Sequence, residues 1–534
     1  MVKNIASACL DKSKKCLSEE TAIHWLDAKL NGSKITFDEI EVQSNKIAAI
    51  LENLGVESGD AVSIYLPRSP ELIHSLFGIF KITSIGCILF STFGETALLD
   101  RLEDSKTSVL ITKKSLLNRV KKIADDLAEL NTVLVVDIAE DMDDLFLSLP
   151  ARIREAPETY EYKKEVDPET PAFYQYTSGS TGKPKGAVHV HAGIKAMLDS
   201  FQEVFGLSED DRFWCTADPA WITGLVYGVI APLALNIDQV QFAGGYYARS
   251  WLQILQDEKI TVWYTAPTAL RMMMKEDSAL FEEYDLSSLK RIYSVGEPLN
   301  PEIIHWGRKV FKCELYDNYF QSETGSIMIT NRPGYPVKPG SMGKPLSYIR
   351  AEILNDTFTP LGTSDQGHLC LQKGWPSMFR TYLNKDDLYN EKFSGDFYIT
   401  GDLAYKDDEG YFWYVSRADD VINTAGHLVG PFEVESVLLE IEGVIDVAVI
   451  GAPDPILHQK IVAFLCLKNG LLWDKKLELD CRVSVSNRVS TTAVPQEFVV
   501  VDTIPKNKSG KILRRVLKAR YLGEDPGDIS TIEE

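Results

Sequence analysis

The strongest constraint on this chain is the order of its apolar runs. Up to residue 400, short β-branched runs alternate with stretches of helical character. AVSIYLP (Ala61–Pro67), SVLIT (Ser108–Thr112) and TVLVVDI (Thr132–Ile138) come first; FWCTA, ITVWYTA and RIYSVGE repeat the order further along. Runs that are apolar at every residue belong to strands buried on both faces, and such strands occur in parallel sheets flanked by helices. The fold class expected is α/β, with a large N-terminal domain of parallel-rich sheets covered by helices. The most apolar stretch, Leu72–Phe90, is long enough to span a bilayer. His74, Lys81 and its glycines make it a buried helix followed by a buried strand instead.

Beyond residue 400 the texture changes. GDLAYKDDEGYFWYVSRADDVI reads as a hairpin turning at Lys406–Gly410. A helix over Pro431–Glu442, a strand over Val444–Ile450, a further strand, a polar loop and a basic helix follow. These define a small C-terminal α+β domain, with the seam at the charged turn Arg417–Asp420. The domains expected are residues 1–418 and the mobile unit 419–534.

A chain of 534 residues is long enough for more than one domain. Its net charge of −21 argues against non-specific binding to nucleic acid or an anionic membrane. Eight cysteines stand singly, with no CxxC pair, so neither a zinc knuckle nor a dithiol redox motif is indicated. Reduced thiols, the absence of an apolar leader at the N-terminus and the absence of a membrane span point to the cytoplasm. His189 and His191 read as residues of one strand on alternating turns of its pleat rather than as a metal pair.

The loop YTSGSTGKPKG (Tyr176–Gly186) concentrates glycines, hydroxyls and lysines. Its spacing is not that of a Walker A loop, and it contains no G-x-S-x-G elbow. No G-x-G-x-x-G follows a strand, so a Rossmann cofactor is not supported. Glycines that let backbone N–H groups approach oxygens, with hydroxyl and ammonium donors beside them, still suit a phosphate chain.

This loop resembles the phosphate loop of the adenylate-forming superfamily, which includes acyl-CoA synthetases, luciferases and adenylation domains. Four more segments agree, in the same order. NYFQSETG (Asn318–Gly325) resembles the family's aromatic-x-x-T-E motif and YITGDLAY (Tyr398–Tyr405) its T-G-D motif. SRADDVINTAGHLVGPFEVES (Ser416–Ser436) resembles the hinge, and PKNKSGKILRR (Pro505–Arg515) the C-terminal lysine motif. WCTADPAWITGLVYGVIAPL, YTAPTALRMMM and VGEPLNPE are most similar to acetyl-CoA synthetases and their short-chain relatives.

The resemblance implies the acyl-adenylate synthetase fold and a two-step reaction using ATP, Mg²⁺ and coenzyme A. A carboxylate attacks the α-phosphorus, and coenzyme A then displaces AMP. It assigns Lys511 and Glu323 to catalysis, Glu323 also to the metal. It gives the nucleotide to Thr177, Ser178, Ser180, Thr181 and Lys185, to Gly296, Glu297 and Pro298, to Asp317, Asn318, Tyr319, Phe320, Gln321 and Ser322, and to Asp402 and Arg417. Ile222, Thr223, Val295 and Phe320 would form the acyl pocket. Trp221 and Gly426 would line the coenzyme A tunnel, and Asp419 would be the hinge. Where acetate enzymes carry tryptophan, this chain has Phe320, so acetate or propionate is expected. GHLVG departs from the family's G-H-R-x-G, with Leu428 in place of arginine, which leaves the balance of the half-reactions and the physiological direction open. The partners implied are a small carboxylic acid, ATP and coenzyme A, with no nucleic acid and no membrane; a homo-oligomer is left open. The competing readings are a ligase for medium-chain or aromatic acids, a module loading a carrier protein, and a non-catalytic scaffold. A scaffold is expected to have lost Lys511 or Glu323.

Overall fold

The structure, a computed structural model, describes residues 1–11, 20–178, 184–425, 427–468, 470–507, 511–526 and 532–533. A seven-stranded sheet carries six parallel strands in the order Pro171–Ser178, Ile85–Ile88, Ala61–Tyr65, Val109–Thr112, Thr132–Val135 and Phe146–Ser148. The strands Pro171–Ser178 and Pro184–Val190 extend its Ile85–Ile88 edge and pair antiparallel with each other. Every residue of the four-residue strands Val109–Thr112 and Thr132–Val135 is buried, as uniform apolarity predicts for a sheet covered twice.

Helices Phe37–Asn53 and Pro70–Lys81 cover this sheet. Each begins on a hydroxyl cap: Thr36 accepts the Glu39 N–H, and Ser69 accepts the Leu72 N–H with Pro70 at the first helical position. The two pack so closely that a Cβ at Gly78 would stand 2.7 Å from the Ile47 side chain. The helix Pro70–Lys81 and strand Ile85–Ile88 replace the alternative of a membrane span, and no helix among the described residues is long and apolar enough for one.

A second sheet, of fourteen strands, joins two textures. Thr21–Leu26, Gln239–Phe242, Phe213–Cys215, Val262–Thr265, Arg291–Val295 and Glu314–Tyr319 are parallel neighbours. The sheet then continues antiparallel through Ile329–Thr330 and Ser341–Pro345 to the expected hairpin, Phe397–Lys406 against Phe412–Arg417. The strand Phe412–Arg417 is therefore paired on both sides.

The small C-terminal unit holds a five-stranded sheet centred on the hairpin Val444–Asp454 and His458–Leu467. Helix Pro431–Leu439 packs on it, and the basic helix runs over Arg514–Leu522. The first of these stops three residues short of the expected Glu442, and the strand Val444–Asp454 outruns the expected end at Ile450.

His189 lies in the strand Pro184–Val190 and His191 just past its end; residues two apart fall on one side of a strand, and both are buried. His191 opens a short 3-10 turn, and its Nδ1 accepts the Ile5 N–H. Neither joins a metal-competent cluster among the described residues. The described cysteines carry no disulfide.

Candidate active site

Between the large sheet and the small unit lies a cleft of about 1380 Å³. The described residues named from the sequence line it almost without exception, from Thr177 and Lys185 at one end to Asp419 and Lys511 at the other. The side chain of Ser178, and Ser180, Thr181 and Gly426 altogether, lie outside the described residues, as does the side chain of Leu428.

The antiparallel hairpin builds one wall. Its register sets Asp402 opposite Arg417, and the Arg417 guanidinium reaches the Asp402 carboxylate at 3.5 Å. Gly401 has a φ of 77°, and a Cβ there would stand 3.4 Å from the same guanidinium. The positive φ is what calls for glycine before Asp402; the contact with the guanidinium would be an ordinary one. The Asp402 carboxylate also accepts the Tyr319 hydroxyl at 2.6 Å and the Gln321 amide at 2.7 Å. Tyr398 fixes that glutamine, its hydroxyl donating to Oε1 at 2.8 Å. Arg417 continues to Asp419 at 3.3 Å.

The Ser322–Glu323 segment is held from beneath. His189 is pushed down to about 4 by burial and stays neutral at ordinary pH; its Nε2 lies 2.8 Å from the Ser322 carbonyl. The Phe379 N–H donates to the Glu323 carbonyl at 2.9 Å. Gly325, at φ 68°, leaves no room for a Cβ, which would lie 2.3 Å from the Ser377 carbonyl. The Glu323 carboxylate accepts the Tyr382 hydroxyl at 2.7 Å, while the Lys185 ammonium sits over the Tyr382 ring. Burial, with Lys392 next in weight, holds Lys185 below the usual lysine range. Sequence reading gave no role to Tyr382 or Tyr398: Tyr398 opens the quoted YITGDLAY segment, and Tyr382 lies outside every motif, brought to Glu323 only by the fold.

Ile222 and Thr223 begin a helix whose next turn, Val226–Ile230, is a π-turn. Gly224 is obligatory in this approach: its Cβ would fall 2.2 Å from the Asp218 carbonyl. Val295 closes the pocket from the end of its parallel strand. Phe320 stands edge-on to Tyr227, ring centroids 5.6 Å apart, and Tyr227 is locked by hydrogen bonds to Ser200 and the Ile327 N–H. Trp221 is half-buried and packs on Phe90, its ring centroid 4.8 Å away, while facing the cleft. Glu297 forms a short ion pair with Arg271 and accepts the Thr268 hydroxyl. Asp317 is buried, and burial raises it well above the usual carboxylate range.

Lys511 comes from the small unit. It is open to the cleft yet enclosed by protein around it. That enclosure, with Arg417 next in weight, holds its ammonium below the usual lysine range, while Asp402 and Asp420 pull the other way. Asn300 donates to the Ser436 hydroxyl at 2.9 Å across the two units. The wall carries carboxylates at Asp402 and Glu323 and cations at Lys185, Arg417 and Lys511. Such a set suits a nucleotide triphosphate held next to a small apolar pocket.

The model of the AMP-binding enzyme family matches residues 10–383, and that of the AMP-binding enzyme C-terminal domain matches residues 433–511. The acetyl-coenzyme A synthetase of Bacillus subtilis (strain 168) is 41% identical over 534 residues, covering 99% of this chain and 93% of that protein. That of Chlorobaculum tepidum is 35% identical, covering 99% and 84%. Among solved structures, the anthranilate CoA ligase AuaEII in complex with anthranoyl-AMP superposes with a TM-score of 0.89 at 26% identity, over 98% of each chain. A Brucella canis acyl-CoA synthetase gives 0.75 at 28% identity, over 97% of this chain and 94% of that one.

Proposed function

The chain belongs to the AMP-binding enzyme family, and from that membership we propose that it is an AMP-forming short-chain acyl-CoA synthetase acting on acetate or propionate. The observation that carries this reading is the single cleft that brings Lys511, Glu323, Asp402 and the small pocket under Phe320 together. The full-length likeness to acetyl-coenzyme A synthetases supports it.

In the first step a carboxylate oxygen attacks the α-phosphorus, and the bond to the β-phosphate oxygen breaks, releasing pyrophosphate. Both reactants are anions, so catalysis is charge neutralisation and positioning. Lys511 supplies a mobile point charge to the attacking carboxylate and the α-phosphate. Thr177, Ser178, Ser180, Thr181 and Lys185 hold the leaving pyrophosphate. Asp402 accepts from the ribose hydroxyls, with Tyr319 and Gln321 fixing its carboxylate. Gly296, Glu297 and Pro298 border the base.

The donor set fits Mg²⁺, which takes one or two carboxylates and phosphate oxygens. Glu323 would hold it, where it would neutralise phosphate charge. In the second step the thiolate of coenzyme A attacks the acyl carbon, and the carbon–oxygen bond to AMP breaks. Trp221 and Gly426 flank its path. The unit from Asp419 onward is the part that changes position between steps. The same chemistry runs backwards when pyrophosphate accumulates, so the enzyme also serves to make ATP from a thioester.

A panel of C1 to C8 carboxylates with ATP and coenzyme A, followed by AMP release, tests the reading. Highest kcat/KM at C2 or C3 is expected; a maximum at C6 or beyond, or with benzoate, would overturn the substrate class. Tyr382→Phe probes the metal end. A hydrogen bond to a charged group contributes about 1.5–3 kcal/mol, so its loss lowers kcat/KM for MgATP about 10- to 10²-fold. Pyrophosphate exchange measured against Mg²⁺ concentration checks this, and an unchanged Mg²⁺ dependence would detach Tyr382 from the site.

A further inference from the structure

Arg514 lies three residues beyond Lys511, at the start of the helix Arg514–Leu522. Its guanidinium has four contacts. One nitrogen donates to both Glu435 oxygens, at 2.7 and 2.6 Å. Nε donates to the Val449 carbonyl at 3.2 Å, and Nη1 lies 3.5 Å from the Asp420 carboxylate. Glu435 in turn accepts the Val449 N–H at 2.8 Å, so helix Pro431–Leu439, strand Val444–Asp454 and the arginine form one knot. Between lysine and arginine, the Leu513 N–H donates to the Pro505 carbonyl, and Ile512 pairs with Lys506.

The plain reading is an ion pair that tightens the small unit. The Asp420 contact adds something that reading does not need. Asp420 follows Asp419, and Asp419 pairs with Arg417, which pairs with Asp402. Charges of alternating sign thus run from the nucleotide wall to the seam, and again from the seam to the segment bearing Lys511. Arg514 is where the second run meets that segment.

We propose that Arg514 is a positioning residue for Lys511: its three nitrogens, one each on Glu435, the Val449 carbonyl and Asp420, fix where the ammonium enters the cleft. This rests on the reading of the site as an adenylating one. A lysine at 514 keeps the charge but has one nitrogen where the guanidinium has three, so it cannot hold Glu435, the Val449 carbonyl and Asp420 at once.

The test is single-turnover, acetate-dependent pyrophosphate exchange in the full chain, with Arg514→Lys, Lys511→Ala and the double variant compared. Displacement of a catalytic group by about 1 Å costs up to about 10²-fold. Arg514→Lys is therefore expected to lower the exchange rate between about 10- and 10²-fold, with KM for ATP changed less than about 2-fold. If Arg514 acts through Lys511, the same change made on Lys511→Ala costs less than about 2-fold more. An additive loss in the double variant, or no loss in the single one, overturns the proposal. Should Arg514→Lys lose its cooperative melt, Asp420→Asn replaces it, with a smaller fall expected and the same non-additivity required; additivity again overturns the proposal. Absence of exchange by the unmodified enzyme with every C1 to C8 acid overturns the adenylating reading, and this inference falls with it.

Discussion

Lys511→Ala is expected to lower acetate-dependent pyrophosphate exchange about 10²- to 10³-fold, the scale seen when one preorganised donor to a developing oxyanion is removed. The reason is electrostatic. The attacking carboxylate and the triphosphate repel each other, and Lys511 is a cation that the small unit brings to the cleft, where Arg417 faces carboxylates and Lys185 an aromatic ring. The pH profile carries a signed corollary. Lys511 is held below the usual lysine range by burial and by Arg417. Activity requires its protonated form, so kcat/KM falls as pH rises, with a midpoint below the ordinary lysine value. Lys511→Arg, which does not deprotonate in this range, should remove that alkaline limb even while its overall rate drops. An alkaline limb that survives in the arginine variant, or full exchange in the alanine variant, would remove Lys511 from the mechanism.

The second large effect is on specificity. Phe320→Gly is expected to move preference from acetate towards longer acids. Each buried methylene is worth about 0.8 kcal/mol, so the four that separate hexanoate from acetate are worth about 3 kcal/mol, or about 10²-fold in relative kcat/KM. Attraction alone cannot exclude long acids, and a wall must do so. In the proposed acyl pocket Phe320 would be that wall, and its ring packs edge-on against Tyr227. Tyr227 is fixed by Ser200 and the Ile327 backbone, so the enlarged pocket has a second floor and the gain should level off beyond the space vacated by one ring. Competition between acetate and hexanoate, read as acyl-CoA products, measures the change. An unchanged product ratio would place the acyl group elsewhere.

Much of the fold was legible because its signal is local. The parallel strands announce themselves as uniformly apolar runs, and the hairpin over Phe397–Arg417 as two strands around a charged turn. Thr36 and Ser69 mark helix starts for a reason visible in four residues. The motif residues were legible only by resemblance: nothing in the composition around Asp402 separates it from a turn aspartate. What stayed hidden depends on three-dimensional neighbours. Tyr382 reaches Glu323 from 59 positions away. Gly224 looks like any small residue until the Asp218 carbonyl is seen where its Cβ would be. The pair His189 and His191 read as strand residues, and His189 is one, with His191 immediately after the strand's end. Arg514 stood in the sequence only as part of a basic helix, and its ion pair with Glu435 spans 79 positions.

The strand Phe412–Arg417 lies in the interior of a fourteen-stranded sheet: Phe397–Lys406 bonds it along its length, and Ser341–Pro345 bonds it at Phe412 and Trp413. Mechanically it is a beam built into a wall at one end. If the small unit shifts between the two half-reactions, as proposed, the short segment between Arg417 and the strand that begins at Ile422 is where the turn would fall. Asp402 precedes that joint and Lys511 follows it, so a small rotation there would become a larger stroke of the ammonium across the proposed nucleotide site.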